Sequence, residues 1–479
     1  MIKQAHIKPS YIEARKRTKE EVKVLTDAYI MNNELSKIGM NKKYHIITYG
    51  CQANERDSET ISAILEDMSF TRVDDISEAD LILLNTCAIR ENAHNKVFGM
   101  LGRIKHMKEI NPNIITCVCG CMAQEESVVN EIEEKLKWVD VVFGTHNIQN
   151  LPKLISESLE NNELIIEVFS KEGEVVENLP VKRENKYKAY VNIMYGCDKF
   201  CTYCIVPYTR GKQRSRRKED ILKEVNDLIK DGYKEVTLLG QNVNAYGKDL
   251  DDGITMDKLL EEVAKTGIER VRFITSHPWD FTDEMIDVIA NNKNVMPYIH
   301  LPLQSGSDKI LKLMGRRYTK ESYLKLAKKI REKIPNVSLT TDIIVGFPNE
   351  TEEDFKDTLD VVNECKYDGA FTFIYSPREN TPAAKMEDLV TLEEKQDRLQ
   401  RLNEVVNKYY LENNQKLVNT IVPVLIENVS EKNDQLCAGY TDTMKLVNVK
   451  CSKENIGKIV NVKITEAKTW SLNGEIVNE

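Results

Sequence analysis

Three cysteines crowd the run Gly196-Cys197-Asp198-Lys199-Phe200-Cys201-Thr202-Tyr203-Cys204, with the spacing C-x3-C-x2-C. Three thiolates on one tight loop can each hold one iron of a [4Fe-4S] cluster, which leaves the fourth iron open to a small ligand. A cluster that binds and cleaves a substrate needs that open iron. Structural zinc competes for the same residues, but it normally takes four protein ligands. A fourth would have to fold back from elsewhere, with His277 or His300 as candidates. Unligated core thiols are the remaining alternative.

A second set of cysteines is related by position rather than by spacing. Cys51 in "TYGCQANERDSE", Cys87 in "LNTCAIRENA" and Cys121 in "IITCVCGCMAQ" each follow a short apolar run. If those runs are parallel strands, their carboxyl ends share one edge, where ligands of open sheets gather. Three thiolates there can hold a second [4Fe-4S] cluster, again with one iron open. Each thiol alone would be an ordinary core residue. Cys117 and Cys119 alternate with Cys121 but fall inside the run. Gly120 lets the chain leave the sheet, so Cys121 is expected at the rim and the other two within the packing. Cys365, Cys437 and Cys451 are isolated and read as structural. Eleven cysteines without a secretory leader argue for metal ligation or catalysis rather than disulfides.

These residues have to be positioned by an α/β framework. Apolar runs at 44–50, 81–86, 114–120 and 139–144 alternate with helical patterns at about 57–67, 91–108, 124–136 and 148–159. Such alternation predicts a parallel α/β domain over residues 44–162. A polar linker is expected at 177–187, followed by six further strands at about 189–194, 235–239, 271–275, 296–301, 338–345 and 369–375. Helices at 218–230 and 351–363 intervene and a long one runs over 391–414, which predicts a partial (β/α)6 barrel over 183–414. Short β-rich runs predict a small β-barrel over 416–479. Residues 1–43 form a charge-rich extension with weak helical periodicity from Ile12 to Leu35, expected as a solvated helix or tail. No run reaches the roughly 18 apolar residues of a membrane span, so a cytoplasmic location is expected.

At 479 residues the chain has a net charge of −9, which gives no general nucleic-acid signal. The negative charge is concentrated in 44–162, where ten Lys and Arg face nineteen Asp and Glu; the rest balances to zero. The C-terminal segment 416–479 carries eight Lys against eight Asp and Glu. A basic run follows the cysteine loop, with Arg210, Lys212, Arg214, Arg216, Arg217 and Lys218 placed to hold RNA phosphates. Polar residues at barrel strand ends usually line the ligand site, which puts Gln241, Ser276 and Gln304 near cofactor or substrate, with loop capping as the alternative. No Ser/His/Asp arrangement or P-loop is evident, so hydrolase and NTPase functions lack support.

The 197–204 loop, with its aromatic Tyr203, resembles the signature of the radical S-adenosylmethionine (SAM) enzymes. The resemblance implies a radical SAM barrel with Cys197, Cys201 and Cys204 at its catalytic centre and Tyr203 as a cofactor-binding residue. Together with "YVNIMYGCDKFCTYCIVPYTRGKQRSR", "LLGQNVNAYG", "TSHP", "HLPLQSGSDKIL" and "TDIIVGFPNETEEDF", the chain from about 44 to 478 resembles the methylthiotransferases, whose C-terminal module is a TRAM domain. It departs from the family pattern at Asp198, where Asn is more common, and at Gln213, where Glu is more common. Neither position is a cluster ligand.

The resemblance implies two [4Fe-4S] clusters and SAM as cofactors. It implies methylthiolation at C2 of N6-isopentenyladenosine at position 37 of tRNA. One SAM methylates sulfur at the auxiliary cluster of Cys51, Cys87 and Cys121, and a second yields a 5′-deoxyadenosyl radical at the cluster of Cys197, Cys201 and Cys204. It further implies a tRNA partner, a low-potential electron donor such as flavodoxin or ferredoxin, and a monomer away from membranes. Related enzymes acting on threonylcarbamoyladenosine or a ribosomal-protein aspartate are the alternatives in the class; "NTCAIRENA" and "KFCTYCIVPYTRGK" favour the isopentenyladenosine branch. A noncatalytic iron-sulfur or zinc RNA-binding protein is the alternative outside it.

Overall fold

The computed structural model describes residues 6–16, 23–88, 91–170, 174–430 and 433–477. Parts of the expected N-terminal extension and of the "NTCAIRENA" segment lie outside the described residues. The chain divides into two compact units, Met1–Glu184 with Met194–Phe200 and Cys204–Arg216, and Asn185–Ile193 with Cys201–Tyr203 and Arg217–Glu479.

In the first unit the strands are β1 (Val24–Leu25), β2 (Lys43–Thr48), β3 (Thr71–Arg72), β4 (Leu81–Thr86), β5 (Ile115–Gly120), β6 (Val141–Phe143), β7 (Ile165–Glu167) and β8 (Val175–Val176). Six of them form a parallel sheet in the order β3-β2-β4-β5-β6-β7, while β1 pairs with β8. Every residue of β4 and β5 is buried, as expected for strands covered on both faces. The helices are α1 (Tyr11–Arg15), α2 (Gln52–Asp67), α3 (Glu91–Ile110), α4 (Glu126–Lys135) and α5 (Leu151–Asn161). One face of the sheet packs Leu84, Val118 and Val142 with Leu101 of α3 and Ile132 of α4. The other packs Leu83, Cys117, Cys119 and Phe143 with Ile61 of α2 and Leu154 of α5.

One expectation is corrected in this unit. The described part of the N-terminal extension is not one solvated helix. It contains the short α1, whose Tyr11 and Ala14 are buried with Ala88, Cys121, Ile205 and Tyr208. The predicted linker has no regular structure, but it is pinned: Arg183 pairs with Glu59 at 3.0 Å, Lys182 pairs with Glu66, and Arg216 grips Glu177 through Nε and Nη2 at 2.6 and 2.7 Å.

The second unit begins with β9 (Lys188–Asn192). The short strands β10 (Met194–Tyr195) and β11 (Arg214–Ser215), both in the first unit, pair antiparallel and flank the cysteine loop in sequence. Then follow β12 (Glu235–Leu239), β13 (Arg270–Phe273), β14 (Tyr298–His300), β15 (Ser338–Val345) and β16 (Gly369–Ile374). They form two parallel sheets, β13-β12-β9 and β14-β15-β16, linked by a bridge between Val271 and Val295. All six predicted strands are present, in an open partial barrel. The helices α6 (Val206–Thr209), α7 (Lys218–Lys230), α8 (Met256–Lys265), α9 (Asp283–Asn291), α10 (Asp308–Leu313), α11 (Lys320–Lys333), α12 (Glu352–Cys365) and α13 (Leu392–Gln415) complete this region of the chain. Leu402, Val406 and Tyr409 form the buried stripe of α13.

The C-terminal β-barrel is closed, with β17 (Ile421–Ser430), β18 (Asn433–Thr441), β19 (Leu446–Lys450), β20 (Ile459–Ala467) and β21 (Leu472–Ile476) in the order β17-β18-β19-β21-β20. Cys437 of β18 and Cys451 just past β19 form a disulfide with Cα atoms 5.8 Å apart, a structural role, which corrects the expectation of ligation or catalysis rather than disulfides. The sequence could not show this, because only antiparallel pairing brings the two positions together. Among the described residues no helix is long and apolar enough to cross a membrane.

Candidate metal centres

Cys51, Cys87 and Cys121 follow β2, β4 and β5, which are neighbours in the sheet. Thr48 is level with Asn85, and Asn85 with Cys119, so the three chains leave the sheet at nearly the same height. A polar lattice sits beneath the exits. Asn54 of α2 donates to Asn85 Oδ1 and Thr86 O, both at 3.1 Å, and Asn85 Nδ2 donates to Ser58 Oγ at 2.9 Å. Gly120 takes φ +94°, and a Cβ there would lie 2.3 Å from Thr86 O. Glycine alone lets the chain pass this close and turn. Cys121 then lies beyond the sheet, whereas Cys117 and Cys119 stay in the α2/α5 core, and burial pushes both of their thiols up.

Arg210 converges on the same rim. Its Nε donates to Cys121 Sγ at 3.2 Å, and its Nη2 lies 2.7 Å from Asp57 Oδ2. Burial pushes the Cys121 thiol up, Arg210 pulls it back and Cys51 pushes it up again, so these three share one electrostatic neighbourhood. Nearby His146, two residues past Gly144, is 8% exposed. Burial and the charges of Arg214 and Arg210 hold its imidazole well below the ordinary range, and its Nε2 has no hydrogen-bond partner among the described residues. Asp57 and His146 were not anticipated. Asp57 lies six residues along from Cys51, the one local signal that could have found it.

The second cysteine loop is divided between the units, with Cys197 and Cys204 in the first and Cys201 and Tyr203 in the second. In the first unit, Gly196 has φ +71° and a Cβ there would lie 2.0 Å from Lys212 O, so the turn into Cys197 requires glycine. Cys197 N donates to Gly211 O at 3.1 Å, and Asp198 Oδ1 accepts from Gln213 N at 3.1 Å. The two departures from the family pattern therefore touch each other. In the second unit, Arg316 Nη1 donates to Cys201 Sγ at 3.4 Å. Tyr203 sets its ring edge-on to Phe347 at 6.4 Å.

Gln241, Ser276 and Gln304 all lie just past strand ends, after β12, β13 and β14. Ser276 is 4% exposed and its hydroxyl has no partner among the described residues. Gln304 adopts φ +71° and its backbone bridges to Ile343. A buried pair past the ends of β12 and β13 was missed by the sequence: Asp280 accepts from Asn242 Nδ2 at 2.8 Å, and also from Nζ of the exposed Lys248 at 2.6 Å.

The expected RNA-facing basic run is corrected at three of its members. Arg210, Arg214 and Arg216 are all buried. Arg210 is committed to Asp57 and Cys121, Arg216 to Glu177, and Arg214 Nη2 to Arg210 O at 3.0 Å. A charge run alone cannot reveal that acidic partners distant in sequence fold over it. Lys212 is partly exposed and Arg217 exposed.

Among the described residues no group of three or more His, Cys, Asp or Glu side chains is arranged for a single metal ion. A cluster in which each thiolate takes its own iron does not need such convergence. The donor sets fit it: soft, largely buried cysteines, each set with a guanidinium on one sulfur.

A model of the Radical SAM superfamily matches residues 191–362, one of the Uncharacterized protein family UPF0004 matches 43–144, and one of the TRAM domain matches 415–477. The chain is 57% identical over 472 residues to the tRNA-2-methylthio-N(6)-dimethylallyladenosine synthase of Bacillus mycoides, covering 98% of this chain and 92% of that protein. It is 56% identical over 470 residues to the synthase of the same name from Halalkalibacterium halodurans, covering 98% and 87%. A solved structure of the radical SAM methyltransferase TsrM from Kitasatospora setae, with tryptophan substrate and a SAM analog, is similar with a TM-score of 0.50. That match is 14% identical and covers 71% of this chain and 75% of TsrM, a likeness of fold alone.

Proposed function

The chain belongs to the tRNA-2-methylthio-N(6)-dimethylallyladenosine synthase family, and we propose that it methylthiolates C2 of N6-isopentenyladenosine at position 37 of tRNA. Cys197, Cys201 and Cys204 hold one [4Fe-4S] cluster and Cys51, Cys87 and Cys121 a second. When bound, these groups and SAM supply reductive cleavage of SAM to a carbon radical and a methylated sulfur for transfer.

The chain's own residues do the rest. Burial of Cys87 and Cys121 keeps water from those two auxiliary thiolates, and Arg210, held by Asp57, donates a hydrogen bond to the Cys121 sulfur. The unpartnered Ser276 hydroxyl, with Gln241 and Gln304, offers hydrogen bonds to SAM or the nucleoside at the barrel strand ends. Tyr203, inside the loop and edge-on to Phe347, adds a cofactor contact. Lys212 and Arg217 hold tRNA phosphates, and the C-terminal barrel adds a further RNA surface. Residues 44–162, 183–414 and 416–479 act as sulfur-delivering, radical-generating and TRAM domains, after an extension over 1–43. The enzyme works as a cytoplasmic monomer with a flavodoxin- or ferredoxin-type donor.

The observation that supports this most is the emergence of Cys51, Cys87 and Cys121 past three adjacent parallel strands. The test is anaerobic incubation with SAM, a strong reductant and isopentenylated tRNA, then mass spectrometry of the nucleosides. The expected product is the 2-methylthio derivative. Product only from threonylcarbamoylated tRNA or a protein substrate would reassign the activity, and zinc in place of about eight irons, the content of two four-iron clusters, would end it.

A further inference from the structure

Each cysteine set is served by one buried arginine that donates to a ligand sulfur, but the two arginines are compensated differently. In the first unit Arg210 Nε reaches Cys121 Sγ at 3.2 Å while its Nη2 is ion-paired with Asp57 at 2.7 Å. In the second unit Arg316 Nη1 reaches Cys201 Sγ at 3.4 Å. Its other nitrogens meet only neutral oxygens, Tyr318 Oη at 3.0 Å and Pro302 O at 3.3 Å. Tyr318 is held in turn by donation to Leu303 O at 2.7 Å. Among the described residues no carboxylate pairs with Arg316. The arginines are 5% and 8% exposed.

Net charge and hydrogen bonds to the sulfurs help set the reduction potential of an iron-sulfur cluster. A one-electron reduction adds negative charge, so a nearby uncompensated cation favours the reduced form. In a poorly solvated interior that preference is strong, and a carboxylate beside the cation cancels much of it. We propose that Arg316 raises the potential of the cluster at Cys197, Cys201 and Cys204, while Arg210, neutralised by Asp57, leaves the Cys51, Cys87 and Cys121 cluster lower. An external one-electron donor then reduces the radical-generating cluster first, which keeps the sulfur-delivering cluster oxidised. This rests on the ligand sets proposed above.

The experiment is an anaerobic redox titration of the reconstituted full chain with dithionite and mediators, followed by electron paramagnetic resonance. Cys121→Ala and Cys201→Ala each leave one cluster and so assign the signals. In wild type the cluster left in Cys121→Ala is expected to have the higher midpoint. Arg316→Gln is expected to lower that midpoint alone by at least tenfold in the one-electron reduction constant, which is 59 mV. Asp57→Asn, which removes the compensating charge, is expected to raise the other midpoint. Midpoints that do not move in variants retaining full iron, or an auxiliary cluster that reduces first in wild type, would overturn the proposal. If Arg316→Gln loses its cluster, Tyr318→Glu, which sets a carboxylate beside the Arg316 Nε as Asp57 stands beside Arg210, is expected to lower the same midpoint. Wild-type protein that never reaches about eight irons, two clusters of four, would instead sink the ligand sets themselves.

Discussion

Cys117, Cys119 and Cys121 are spaced two apart in sequence, yet only the last leaves the sheet. Cys121→Ala is expected to abolish methylthiolation and to remove about half of the iron, one of two clusters, while reductive SAM cleavage continues. Cys201→Ala should abolish both activities, and Cys119→Ala should keep its iron; equal iron loss in Cys119→Ala and Cys121→Ala would contradict the assignment. The basic residues behave as unequally. Lys212→Ala and Arg217→Ala are each expected to weaken tRNA binding and to reduce its salt slope by about 0.7–0.9, readable from binding isotherms at several salt concentrations. Arg216→Ala should act through stability instead, since it strands the buried Glu177 carboxylate at a cost of about 3–5 kcal/mol.

At the scale of elements, the exit of β5 depends on a backbone only glycine adopts easily. Gly120→Ala should cost about 1–3 kcal/mol, lose auxiliary iron and spare the radical-generating cluster, as metal analysis and SAM-cleavage assays would show. A second element carries a pH signature. Glu350, beyond β15, accepts from Gly346 N at 2.7 Å and from Arg398 of α13 at 2.9 Å. Burial pushes its carboxyl up to about 6, with the amide and the guanidinium opposing. The folded state thus binds this proton more tightly than the unfolded chain does. Its contribution is largest below the unfolded value and is lost as pH rises through about 6. Between pH 4 and 7 the wild type should lose on the order of 2 kcal/mol more stability than Glu350→Gln, measured by urea midpoints.

At the scale of the molecule, the C-terminal barrel is bonded into the second unit rather than tethered to it. Arg270, 3% exposed, donates to Tyr440 O at 2.9 Å and Pro423 O at 3.0 Å. Lys188 reaches Glu427 at 2.7 Å, and Lys445 reaches Asp368 at 3.2 Å. Arg270→Gln leaves those carbonyls short of donors and is expected to destabilise the unit by about 2–4 kcal/mol. Limited proteolysis should then cut more readily near Gln415 without loss of iron.

Much of this was legible in the chain alone, because the relevant signals are local. Strand period, helix period and turn residues identified all six barrel strands, α7 residue for residue and the exits that carry Cys51, Cys87 and Cys121. Spacing alone singled out Cys197, Cys201 and Cys204 as candidates for a metal-binding loop. What the sequence could not decide is long-range pairing. Asp57 closes on Arg210 across 153 positions, Glu177 on Arg216 across 39, and Cys437 on Cys451 through an antiparallel ladder. A basic run therefore read as RNA-facing although distant acidic partners bury two of its arginines, and the difference between a compensated and an uncompensated arginine exists only in three dimensions. Local propensity selects the elements, but the charge each buried group meets is set by what the fold brings to it.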